Sequence, residues 1–125
     1  THEQTMERKI EEAILSVVLE DKYSKDEILE MYLNTTYFGA GATGIHQASK
    51  VYFGKHVSRL TLEEAAVLAA LPYAPSALNP LEHPIECKQR QMLVLNSMAK
   101  HGFITQDAAD EAKAEYVYLT NGRKM

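Results

Sequence analysis

The sequence predicts an all-α protein, an orthogonal bundle of six helices, and three observations carry that prediction. Apolar residues recur at helical spacing along most of the chain. Two boxes of the Ser/Thr-x-x-Glu type, at Ser24/Glu27 and Thr61/Glu64, should each open a helix by satisfying its orphan amides. Glycines and prolines fall where those helices should stop. The 125 residues suit a single core, and no linker or repeat divides 1–125 into separate domains.

The first helix is expected over Met6–Leu19. Met6, Ile10, Ala13, Ile14 and Val17 share one face, while Leu15 and Leu19 lie on the other. A helix apolar on two sides should be central and covered on both. The second helix, over Lys25–Leu33, carries Ile28, Leu29, Tyr32 and Leu33. A turn containing Gly39, Gly41 and Gly44 leads to a third helix over Ile45–Phe53, which Gly54 should end. Thr61 opens an Ala-rich fourth helix over Leu62–Leu71, stopped by Pro72. Pro72, Pro75, Pro80 and Pro84 then predict an ordered loop without helix. Pro84 suits the first turn of a long helix over Ile85–His101, closed by Gly102. Thr105 opens a last helix over Gln106–Glu115, and Val117–Leu119 reads as a short extended piece.

A hydrophobic share of 46% with 24% charged residues fits a soluble globular chain. The net charge of -4 and mixed-sign charge pattern offer no basic footprint, so no nucleic-acid partner is expected. Cys87 stands alone, which excludes an internal disulfide and a multi-cysteine zinc site. His2, His46, His56, His83 and His101 include no pair three or four apart, so no dedicated metal site is expected. The longest apolar run, Ala13 to Leu19, is too short to span a bilayer, and no leader opens the chain.

The most informative chemistry lies on the first helix. Arg8 and Glu12 are four apart and neighbours on the helix surface, Lys9 flanks them, and Ser16 continues the stripe. A carboxylate beside two cations can handle an anion; the plain alternative is an exposed ion pair worth a few tenths of a kcal/mol. Gly39 to Gly44 spells G-x-G-x-x-G, a dinucleotide fingerprint only inside a βαβ unit. The run before it has helical spacing, so the glycines are read as a tight connection between helices. Tyr37, Tyr52 and Phe53 read by spacing as core, and Arg90, among Lys88, Gln89 and Gln91, as part of a polar stripe.

Several strings, taken in order, resemble one family. Arg8 to Glu12 (RKIEE) matches R-K-x-x-E, and Lys25 to Asn34 (KDEILEMYLN) matches K-x-x-I-L-E-x-Y-L-N, continued by Tyr37, Phe38 and Gly39. Gly44-Ile45, Tyr52 to Lys55 (YFGK), Leu62 to Ala66 (LEEAA), Leu71 to Pro80 (LPYAPSALNP), His83-Pro84, Arg90 and Val94-Leu95 follow. Their order and spacing resemble the family 51 glycosyltransferases, the polymerising domain of class A penicillin-binding proteins and monofunctional relatives.

The resemblance implies a lysozyme-like helical fold, truncated at its N-terminal side, with 1–125 as the C-terminal portion of the domain. It implies polymerisation of lipid II into β-1,4 glycan strands, with inversion and release of undecaprenyl pyrophosphate, at the extracytoplasmic face of the bacterial membrane. By resemblance, Glu12 is the second active-site carboxylate, Arg8 and Lys9 are pyrophosphate-binding cations, and Tyr37 and Arg90 line the donor groove. A divalent metal, Mg or Mn, is expected through the substrate's pyrophosphate and not from protein ligands alone. The implied partners are lipid II, the growing glycan chain, the membrane through segments outside this chain, and a transpeptidase domain downstream.

Two departures matter. The family's general-base Glu belongs to an E-D-x-x-F motif, and nothing before Glu7 matches it, so this chain alone is expected to be inactive. Gln91 stands where a second basic residue often follows Arg90. The competing reading is a non-catalytic α-helical interaction module, with Arg8, Glu12 and Arg90 as mere surface charge. Convergence of Lys9, Glu12, Tyr37 and Arg90 on one concave surface, Glu12 deepest, would separate the two.

Overall fold

The computed structural model describes residues 2–19 and 27–125, with side chains from residue 5 onward. Within them the helices are α1 (His2–Leu19), α2 (Glu27–Thr35), α3 (Ile45–Phe53), α4 (Leu62–Ala70), α5 (Pro75–Leu78), α6 (Pro84–Lys100) and α7 (Gln106–Ala114). Single 3-10 turns lie at Val57–Arg59 and Leu71–Tyr73. Among the described residues there is no named strand, only the isolated bridges Tyr37 to Thr43 and Tyr118 to Lys124. The protein is all-α.

Capping explains where the helices begin and end. Thr61 and Glu64 form the reciprocal box that opens α4, and Gly54, at φ 66°, closes α3 by donating its N–H to the Lys50 carbonyl at 3.0 Å. The Ser24 box and the start of the second helix lie outside the described residues. The proline-rich stretch corrects the expectation of a loop: a 3-10 turn and α5 occupy it. Proline fits the first turn of a helix, where its missing N–H would have no intrahelical partner anyway. Pro72, Pro75 and Pro84 each start a turn in this way, so the prolines punctuate helices here and do not exclude them.

The enclosed helix is α4 and not α1. Glu64, Ala65, Ala66, Val67, Leu68 and Ala70 are all buried, so α4 is covered nearly all round, packed between α1 and α6. Its small alanines let those neighbours approach closely. On α1, Leu15 is buried as expected, but Leu19 is half exposed and the helix keeps one open stripe. The tail after α7 folds back on itself: Val117 and Met125 exchange two backbone hydrogen bonds of 2.9 Å. It also closes α3, since Thr120 donates its N–H to the Tyr52 carbonyl and its hydroxyl to the Val51 carbonyl, at 3.0 and 2.6 Å.

Candidate functional site

The helical period sorts the side chains of α1 into two sets. Ile10, Glu11, Ala13, Ile14, Leu15, Val17 and Val18 are buried, whereas Arg8, Lys9 and Glu12 are exposed. Arg8, Lys9 and Glu12 therefore share the open stripe, one turn long, with Ser16 half-buried at its edge. No ion pair within 4.0 Å joins Arg8 or Lys9 to Glu12. The two cations face solvent without being neutralised by that carboxylate, a state suited to receiving an external anion.

A different constellation occupies the other edge of α1, and the sequence reading missed it. Glu11 is 4% exposed and accepts from the Ser97 hydroxyl at 2.7 Å and from His101 Nδ1 at 3.1 Å. Burial pushes its carboxyl above the ordinary carboxylate range; those two hydrogen bonds and the His101 charge pull it back in part, and Glu7 adds to the rise. One turn earlier, Glu7 meets Arg90 of α6 at 3.5 Å. The Arg90 guanidinium also stands 3.9 Å over the Tyr73 ring, a cation–π stack. Glu7, Glu11, Tyr73, Arg90 and Ser97 border a groove of about 580 Å³ between α1 and α6, walled by Ile10, Val94 and Leu93. The signal was present in the sequence: Glu11 lies three and seven residues before Ile14 and Val18, so it sits on the apolar face.

The expectation that Lys9, Glu12, Tyr37 and Arg90 line one concave surface is not met. Arg90 lines the groove with Glu7 and Glu11, while Arg8, Lys9, Glu12 and Tyr37 are not among its walls. Glu7 and Glu12 are separated by roughly 140° around the helix axis, given about 100° per residue. Glu12 is exposed and not the deepest group. Tyr37 supports the glycine turn, its hydroxyl oxygen accepting from the Gly41 N–H at 3.1 Å. Gln91 is fully buried and donates to the Glu63 carbonyl of α4 at 2.9 Å. Position 91 is thus interior, and a charge there would meet the core and no phosphate.

The glycine turn is a structural joint. Gly44 has φ 85°, and a Cβ there would lie 2.5 Å from the Asn34 carbonyl oxygen. Its N–H donates to the Thr36 carbonyl at 2.8 Å, folding the end of α2 against the start of α3. Helices flank both sides and no βαβ unit exists among the described residues, so the dinucleotide fingerprint has no structural basis here. Lys55 and Glu64, from two of the motif strings, pair at 3.0 Å. That bond ties the end of α3 to the capping box of α4, and much of the motif series therefore builds the scaffold behind α1.

Comparison with known proteins gives this arrangement its class. The transglycosylase family profile matches residues 1–99. Penicillin-binding protein 1A of Aquifex aeolicus is 51% identical over 112 residues, covering 90% of this chain and 15% of that protein. Penicillin-binding protein 2D of Bacillus subtilis is 49% identical over 110 residues, covering 88% of this chain and 16% of that protein. The crystal structure of penicillin-binding protein 1A from Haemophilus influenzae superposes with a TM-score of 0.77 at 36% identity, over 90% of this chain and 17% of that one. The chain belongs to the transglycosylase family, the family 51 glycosyltransferases. It spans about a sixth of the length of these relatives.

Proposed function

We propose that the chain carries the pyrophosphate-facing part of a peptidoglycan glycosyltransferase site, which polymerises lipid II into β-1,4 glycan strands. The observation that carries this reading is the exposed stripe of Arg8, Lys9 and Glu12 on α1, within a chain whose residues 1–99 match the transglycosylase profile. In the reaction, a sugar hydroxyl of one glycan attacks the anomeric carbon of another, inverting it as undecaprenyl pyrophosphate leaves. Negative charge grows on the departing oxygens, and cations fixed beforehand stabilise it without reorganising. Arg8 and Lys9 fill that role, the guanidinium by bidentate contact and the ammonium as a point charge. Glu12 holds the donor, or the divalent cation (Mg or Mn) that travels with its pyrophosphate. Among the described residues no group of three or more His, Cys, Asp or Glu side chains is placed to hold a metal.

Arg90 joins this reading only by exchanging Glu7 for a phosphate, a swap that a half-exposed pair at 3.5 Å allows at small cost. The full-length protein works at the extracytoplasmic face of the bacterial membrane. Among the described residues no helix is long and apolar enough to cross a membrane. The penicillin-binding names of the relatives support a transpeptidase domain elsewhere in the protein.

The test is Glu12→Gln in the full-length protein, followed by glycan-chain length on lipid II. The near-isosteric change keeps the fold, so turnover should drop about a hundred-fold with an unaltered melting temperature. Activity within a few-fold of the parent would return Glu12 to surface charge and favour the interaction-module reading.

A further inference from the structure

We propose that Glu11 is a positioning residue for the α1 stripe, holding the first turns of the helix through Ser97 and His101 so that Arg8, Lys9 and Glu12 face outward together. This rests on the function proposed above, since it assigns a device to that same site.

Different groups anchor the two halves of α1. From Ala13 onward the helix is fixed by Ala13, Ile14, Leu15, Val17 and Val18, all buried. From Thr5 to Glu12, the part that carries the stripe, only Ile10 and Glu11 are buried. Ile10, with Met6 only partly buried against the core, is a weak pivot, because burial is non-directional and tolerates rotation. A carboxylate that takes two hydrogen bonds at 2.7 and 3.1 Å is directional. Glu11 supplies the angular restraint that Ile10 lacks.

The geometry of the partners fits this role. Arg90, Ser97 and His101 are seven and four residues apart, so they share one face of α6 and its terminus. Glu7 and Glu11 are four apart and share one edge of α1. The two helices are joined along a polar seam, Glu7 to Arg90 at 3.5 Å and Glu11 to Ser97 and His101. With Glu11 turned inward, the 100° step puts Glu12 outward, and Arg8 follows one turn before it. A slip of the seam would turn Glu12 toward the groove and spread the two cations away from a shared anion.

The device also has a chemical handle. Among the described residues, Glu7 on α1, Arg90 on α6 and the titratable His101 at the C-terminal cap of α6 stand around Glu11, with Tyr32 of α2 and Tyr73 bordering the same groove. Protonating Glu11 replaces charge-assisted hydrogen bonds with weaker neutral ones, which loosens the angular restraint even though burial on balance favours the neutral form. The Ser97 hydroxyl favours the ionised form, so removing it moves the ionisation to higher pH.

The experiment compares Glu11→Gln, Ser97→Ala and Glu12→Gln in the full-length protein, reading polymerisation rate against pH together with melting temperature. Glu11→Gln should lower the plateau rate about ten-fold, as expected for small misplacement of reacting groups, and erase one ionisation from the acid limb. Ser97→Ala should keep that ionisation but shift it upward, a displacement that a merely structural hydrogen bond would not produce. If Glu11→Gln fails to fold, the Ser97→Ala shift decides alone. An acid limb unmoved in Ser97→Ala, or in a folded Glu11→Gln with parental rate, overturns the positioning role while a dead Glu12→Gln leaves the site reading standing. Full activity in Glu12→Gln would instead overturn the site reading itself.

Discussion

Tyr52 of α3 donates its hydroxyl hydrogen to the carbonyl oxygen of Phe38 at 2.7 Å, inside the core. The bond locks the third helix to the glycine turn that precedes it. Burial pushes the phenol well above its ordinary range, so the group stays a neutral donor. Tyr52→Phe removes only that hydrogen bond and leaves a buried carbonyl unpaired. Urea unfolding should show a loss of about 1–3 kcal/mol. A loss near zero would mean that the Phe38 carbonyl finds another donor.

Two glycines of one turn should respond differently to the same change. A Cβ at Gly44 would press on the Asn34 carbonyl, and its φ of 85° disfavours any side chain; at Gly41, φ is 76° with nothing within 4 Å. Gly44→Ala should cost about 2 kcal/mol or more, and Gly41→Ala about 1 kcal/mol, the backbone strain alone. Equal losses in thermal unfolding would show that sterics at Asn34 play no part.

Glu11 gives the folded state a pH dependence of definite sign. Because burial raises its carboxyl in the folded protein, the folded state holds the proton to higher pH than the unfolded chain does. Its contribution is complete below the unfolded carboxylate's pKa and is lost as pH rises through the raised one. Glu11→Gln lacks this loss. The stability of the variant relative to the parent should therefore grow as pH rises above the ordinary carboxylate range in urea titrations. A difference that stays constant as pH rises would refute the assignment.

Cys87 should be silent to thiol reagents in the folded protein. It is fully buried on α6, and that burial pushes the thiol up to about 12, with Lys88 opposing only in part. Labelling at pH 8 should wait for denaturant. Rapid native labelling would mean that the end of α6 opens readily.

What the sequence made legible was whatever is encoded locally. The α3 boundaries, the Thr61 box and the Gly54 cap each depend on residues within one turn of each other, and the structure has them where expected. The stripe of Arg8, Lys9 and Glu12 is local in the same sense. The helical turns at Pro72 and Pro75 were hidden because a proline marks a helix start as readily as a break. The single concavity failed for a different reason. Which edge of α1 meets α6 depends on residues 83 to 90 positions apart, Glu7 with Arg90 and Glu11 with His101. No periodicity reports a pairing at that distance, and the resemblance supplied roles without supplying faces.

The seam between α1 and α6 also sets the order in which the chain can mature. Synthesis runs from the N-terminus, so α1 emerges long before its partners, and Ser97 follows Glu11 by 86 residues. Until α4 and then α6 are made, α1 has only α2 and the Val57–Arg59 turn of these residues to pack against, while Glu11 stays hydrated. Contacts of such separation are slow to close, because a long loop must be ordered before either end gains anything. The nascent helix then keeps exposed the part of its face that α6 covers, and a ribosome that pauses before residue 97 would prolong that exposure.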